Sequence, residues 1–192
     1  AGNILEVLAT AYYAAKAGIT SLGDAAKLAG ILVRGFGIEA DAIRPTLDGL
    51  FVAAKNGGAT FAELAAGLGD LAPVAKATNT PVEQVAAAIQ VMTRAGLEAP
   101  AAISQLQQIL TRLAAPETVA QLRGLGIEAG GLVSTLAQIS ERGLSLGEIV
   151  DLGISSKRAA AGVAALTTDA SALSIALGKI GDSSGALDKA SE

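Results

Sequence analysis

Apolar residues recur at helical spacing along the whole chain, and glycine or proline interrupts the pattern about every 15 to 20 residues, the spacing of helix ends. Ile4, Leu5, Leu8, Ala11 and Tyr12 share one face of a helix. Val85, Ala88, Ile89 and Met92 share another, and Ile103, Leu106, Ile109, Leu110 and Leu113 a third. No segment sustains the two-residue alternation of a half-buried strand. Such a chain is confined to an all-α fold, an irregular multi-helix bundle of short helices rich in Ala and Gly. The pattern predicts helices near 3–16, 22–35, 40–55, 61–77, 81–95, 100–114, 116–123, 131–142, 146–152, 156–166 and 169–179.

Helix starts are marked by capping signals. Ser21-Leu22-Gly23-Asp24, Thr60-Phe61-Ala62-Glu63, Thr80-Pro81-Val82-Glu83 and Ser145-Leu146-Gly147-Glu148 each place an acid three residues after a hydroxyl. The hydroxyl can accept from the third residue's N–H while the acid reaches back to the cap's own N–H. Thr80 carries the strongest expectation, because Pro81 brings the fixed φ of a first helical position. Pro100 and Pro116 also fit helix openings.

A short pattern recurs. Gly37-Ile38-Glu39-Ala40, Gly96-Leu97-Glu98-Ala99 and Gly126-Ile127-Glu128-Ala129 are each followed by a leucine ten residues after the glycine: Leu47, Leu106 and Leu136. The shared element is a cap glycine, a buried aliphatic and a new helix. It fits either an irregular bundle whose joints look alike or helical-hairpin repeats of about 30 residues. Residues 1–180 read as one all-helical domain. Residues 181–192, with Gly181-Asp182-Ser183-Ser184-Gly185 inside them, read as a flexible or frayed tail.

The 192 residues can bury a core, and their composition excludes much chemistry. There is no Cys and no His, so Ser-His-Asp and Cys-His catalysis, thiolate chemistry and His-ligated zinc are excluded. Net charge is −4 without a basic stripe, and all five aromatics (Tyr12, Tyr13, Phe36, Phe51, Phe61) fall early, so no nucleic-acid platform is legible. Mean hydropathy is +0.50. The longest uncharged stretch nevertheless runs only from Ala99 to Thr111, short of the roughly 20 apolar residues of a membrane span. The chain has no initiating Met and opens in a helical pattern, which reads as a fragment or processed product of something longer.

No residue emerges as catalytic, cofactor-binding or metal-ligating. Three segments match G-x-G-x-x-A, at 35–40, 67–72 and 124–129, but none follows a strand, as a dinucleotide site requires. Glu39, Asp41 and Asp48, and Glu148 with Asp151, could pair for acid–base work, yet helix-dipole and solvation roles account for them. Asp182, Ser183 and Ser184 lack the spacing of a cation loop. Lys157-Arg158 could meet an acidic partner. Ala and Gly on helix faces, with few large side chains, give a thin core, which favours an assembly component over a free enzyme.

The stretches Leu50-Phe51-Val52-Ala53-Ala54-Lys55-Asn56-Gly57-Gly58-Ala59-Thr60-Phe61, Leu71-Ala72-Pro73-Val74-Ala75-Lys76 and Thr80-Pro81-Val82-Glu83-Gln84-Val85 resemble the core region of phage tail tape measure proteins of the TP901 type. So do Gln90-Val91-Met92-Thr93-Arg94, Leu110-Thr111-Arg112-Leu113-Ala114-Ala115-Pro116 and Leu122-Arg123-Gly124-Leu125-Gly126-Ile127. The likeness is collinear over roughly residues 20–180 and rests on order and spacing. Near its end Ile154-Ser155-Ser156-Lys157-Arg158 departs from the family's Phe-Gly-Lys-Arg. The resemblance implies a non-enzymatic structural protein of a phage or prophage tail. Such a protein occupies the tail tube, sets tail length and leaves with the DNA at genome ejection. It also implies tube, tip and assembly proteins as partners, homo-oligomeric placement in the tail, and residence in the virion after assembly in the host cytoplasm. No cofactor and no specific nucleic-acid site are implied. Fully helical, the chain would span at most roughly 290 Å, which fits a module of a longer protein better than a whole ruler. An unrelated helical scaffold or interaction module, and a membrane-active helical protein, are the alternative readings.

Overall fold

The computed structural model describes residues 12, 15, 21–154, 160–168 and 170–191. Among these residues the regular structure is all helical, as the periodicity requires, with no strand. In chain order the helices are α1 (Leu22–Ile31), α2 (Ile43–Asn56), α3 (Phe61–Ala77), α4 (Val82–Arg94), α5 (Ala99–Leu113), α6 (Pro116–Gly124), α7 (Leu132–Glu141), α8 (Leu146–Asp151), α9 (Ala160–Thr168), α10 (Ala170–Gly181) and α11 (Ala186–Ser191). A π-helical turn over Leu32–Phe36 and a 3-10 turn over Ala40–Ala42 lead from α1 to α2. The expected helix over 3–16 lies, but for Tyr12 and Ala15, outside the described residues, and so does Lys157-Arg158.

Helix α4 is the centre. Its run Val85-Ala86-Ala87-Ala88-Ile89 is apolar on every side, and a helix apolar all round belongs in an interior. Ten of its thirteen residues are buried, and α2, α3, α5, α9 and α10 all pack against it. In a solenoid each unit would touch only its chain neighbours. Here α10 instead returns to lie on α2 and α4, so the arrangement is a bundle wrapped around one helix. Small residues set the spacing. A Cβ on Gly67 of α3 would stand 2.4 Å from Ile103 Cδ1 of α5, and one on Gly49 of α2 would stand 2.8 Å from Ile180 Cγ2 of α10. Glycine inside a helix costs about 0.8–1 kcal/mol against alanine. At these two places it allows a contact that a methyl group would block.

Six joints share one geometry. Gly37, Gly96, Gly126, Gly143 and Gly153 have φ between 63° and 97°, and Asn79 has φ 51°. In each case the next N–H, from Ile38, Leu97, Ile127, Leu144, Ile154 and Thr80 respectively, donates to a carbonyl near the end of the preceding helix at 2.8–3.4 Å, six residues back at Ile38 and five at the others. This closure satisfies a carbonyl that the helix end would leave open, and at the five glycine joints it brings the following aliphatic residue back over the last turn. The three-fold sequence pattern is therefore a recurring joint. Leu47, Leu106 and Leu136 are all buried, as the pattern leads one to expect.

The capping expectations divide. Thr60–Glu63 and Ser145–Glu148 form reciprocal capping boxes, and Ser21 accepts from the Asp24 N–H. Thr80 does not cap α4. Its N–H closes α3 on Ala75 and its hydroxyl lies 2.9 Å from that of Thr78, so α4 begins one residue later, with Pro81 as a cap that makes no side-chain bond. The stretch read as a flexible or frayed tail carries a last short helix. Residues 186–191 form α11, which packs on α2, and Leu187 is 1% exposed.

Candidate functional site

Asp48 holds that C-terminal helix. It sits in α2 between Leu47 and Gly49, only 3% exposed, and its two carboxylate oxygens accept from the N–H groups of Gly185 at 2.9 Å and Leu187 at 2.8 Å. A carboxylate there satisfies open donors of the α11 first turn and opposes the positive end of the helix dipole. Half-exposed Arg44, one turn earlier on α2, pairs with Asp188. The sequence reading placed Asp48 among solvated or dipole-related acids. The dipole role is right, but it serves a helix 137 residues away and the side chain is buried.

The other considered groups do not converge. Glu39 and Asp41 are exposed beside the 3-10 turn, and Asp151 is exposed at the end of α8. Hydrogen bonds from the backbone and hydroxyl of Thr60 hold the Glu63 carboxyl below its ordinary range. The Ser145 hydroxyl and then its backbone do the same for Glu148. Both serve as caps. Ser183 is buried, while Asp182 and Ser184 face outward. The G-x-G-x-x-A segments fall at the π turn, inside α3 and at the end of α6, where their glycines serve close packing and left-handed joints. Among the described residues no group of three or more acids gathers to hold a metal ion. No single described helix is long and apolar enough to cross a membrane. Ala160–Thr167 with Ser171–Gly181 reaches that length and composition only as a pair bent by 77°. Val163, Leu166, Leu173, Ala176 and Ile180 of that pair are buried in the bundle.

One concavity combines polar and apolar groups that sequence reasoning did not single out. A groove of about 360 Å³ runs between α4 and α10, with Gln90, Val91, Arg94, Ile175, Ala176 and Lys179 on its walls. Gln90 is 3% exposed, and its Oε1 has no hydrogen-bond partner among the described residues. Among the described residues neither Arg94 nor Lys179 is paired with a carboxylate. Ile175 is 57% exposed on the rim. The signal in the sequence was an amide, Gln90, set between Ile89 and Val91 in an uncharged run. What it faces is supplied by α10, some 80 residues on.

No curated protein and no solved structure shows a significant likeness to this chain. A family model described as phage-related minor tail protein matches residues 1–153, which carry α1 to α8 and the central helix of the bundle. With 153 of its 192 residues inside that match, the chain belongs to the phage-related minor tail protein family and is a component of a phage tail.

Proposed function

We propose that the chain is a module of a tape measure protein. In this reading the parent protein occupies the tail tube with tube, tip and assembly proteins around it, sets tail length during assembly in the host cytoplasm, and leaves with the DNA. The observation that carries the reading is the minor tail family match over residues 1–153, to which the collinear tape measure motifs add the finer assignment. The role is structural rather than enzymatic, in keeping with a chain that has neither His nor Cys. Helices folded back onto α4 make a poor extended rod. The bundle therefore fits a folded module of the ruler better than its measuring segment, which would lie elsewhere in a longer chain.

The test is mass spectrometry of purified tails from the source phage or induced prophage. The expected result is peptides ending at Lys55 and Arg94, found in the tail fraction within a much longer chain. An in-frame deletion in that chain should then shorten the tail in proportion if it falls in the measuring segment. A deletion of this module should stop assembly instead. Absence of these peptides from tails, with the protein free in the cytosol, would leave a helical scaffold as the better reading.

A further inference from the structure

We propose that the groove between α4 and α10 is a docking site for a peptide segment of another protein, one that presents a carboxylate beside an aliphatic side chain. Three features of the groove each demand a different chemistry. Gln90 Oε1 is a buried acceptor without a donor among the described residues, an unfavourable state that an incoming N–H or O–H relieves. Arg94 and Lys179 are exposed cations on the walls, with no carboxylate paired to either among the described residues. Val91, Ala176 and the rim residue Ile175 are apolar, and Ile175 leaves more than half of its surface in solvent.

A peptide satisfies all three at once. A backbone N–H reaches Gln90, an Asp or Glu side chain meets the two cations, and the neighbouring aliphatic residue covers Ile175. A nucleic-acid phosphodiester would meet the cations but offers no donor to Gln90, and inorganic phosphate, which could donate a P–OH, leaves the isoleucine uncovered. A lipid chain would cover the isoleucine and leave Gln90 unsatisfied. The volume, about 360 Å³, is at the small end of ordinary ligand pockets, suited to a short segment rather than a whole domain face. The two cations stand in the last turns of α4 and α10, where the carbonyl ends of the helices stabilise them in the free protein.

The experiment is an NMR titration of the whole 192-residue chain with acetyl-Ile-Glu-Val-amide. Acetyl-Ile-Gln-Val-amide and inorganic phosphate serve as separate arms. The expected result is saturable shifts at the Gln90 side-chain amide and at the backbone amides of Ala95 and Ala176. Binding should be about tenfold weaker for the glutamine peptide, and about tenfold weaker again when Arg94→Gln and Lys179→Gln are combined. Both substituted side chains are exposed, so the fold is retained, and unchanged α5 resonances verify it. The proposal is overturned if no saturable shift occurs, if phosphate produces the same shifts, or if the charge-neutral peptide binds as well. It is also overturned if the free chain self-associates through these residues, because a second copy would then be the occupant.

Discussion

Replacing Asp48 by alanine should release the C-terminal helix without dissolving the bundle. The side chain accepts from the N–H of Gly185 and of the buried Leu187, at 2.9 and 2.8 Å. Hydrogen bonds to a charged acceptor contribute about 1.5–3 kcal/mol each, and losing a helix cap costs up to about 2 kcal/mol. Taking the lower end for both bonds gives about 3 kcal/mol, or roughly a hundredfold rise in the undocked fraction. The Arg44–Asp188 pair is half exposed and cannot make up the loss, since exposed pairs contribute about 0–1 kcal/mol. Hydrogen exchange resolves the effect by residue. Protection at the Leu187 amide should fall by about two orders of magnitude, while the Val85 and Ile89 amides of α4 keep theirs. Asp48→Asn retains one acceptor oxygen and should fall between. A truncation after Ser184 should abolish any further effect of Asp48→Ala. If Leu187 exchange is unchanged, or α4 loosens equally, Asp48 is not the clamp described here.

Two glycines should respond in opposite directions. Gly67→Ala forces a methyl group to 2.4 Å from Ile103 and should lower stability by about 1–3 kcal/mol despite better helix propensity, whereas Gly178→Ala in α10 meets nothing and should raise it by about 0.5–1 kcal/mol in thermal or urea melts. Thr60→Ala should cost about 1 kcal/mol through loss of its cap. The Glu63 and Glu148 carboxyls titrate lower in the folded chain than in the unfolded one. Their stabilisation is therefore present above the ordinary carboxylate range and is lost as pH falls through the lowered values. Melting curves taken downward from about pH 5 should flatten in a Glu63→Gln, Glu148→Gln double variant. Gln90→Leu should raise the melting temperature, since it removes a buried acceptor without a partner, and should abolish binding of the acidic peptide.

What could be read in the sequence was whatever is decided within a few residues. Helix positions from 22 onward, the caps at Ser21, Thr60 and Ser145, and the joints at Gly37, Gly96 and Gly126 depend on neighbours three to six positions away. Thr80 shows the limit of that reasoning. Its own pattern favours a cap, but with Asn79 in the left-handed region its N–H closes α3 on Ala75, leaving no donor for Glu83, and its hydroxyl is engaged with that of Thr78 instead of the α4 amides. The order of α11 was hidden because its cap comes from Asp48, across most of the chain. The groove was hidden for the same reason, since α4 supplies the unpaired amide and α10 the opposite wall. The bundle choice also needed distant information, because alike joints are compatible with repeats until α10 is seen returning to α4.

The six left-handed joints set how this protein would yield to a pull on its ends. Each joint is closed by hydrogen bonds inside a span of six or seven residues, whereas the bundle is held by apolar contacts between segments far apart in the chain. Tension loads the second kind first. The helices would peel from α4 while keeping their own turns and corners, giving a file of rods about 9 to 26 Å long, each roughly 10–12 Å across, turning at chiral pivots. A globule of this construction can narrow to little more than the width of one helix before any backbone ladder has to break.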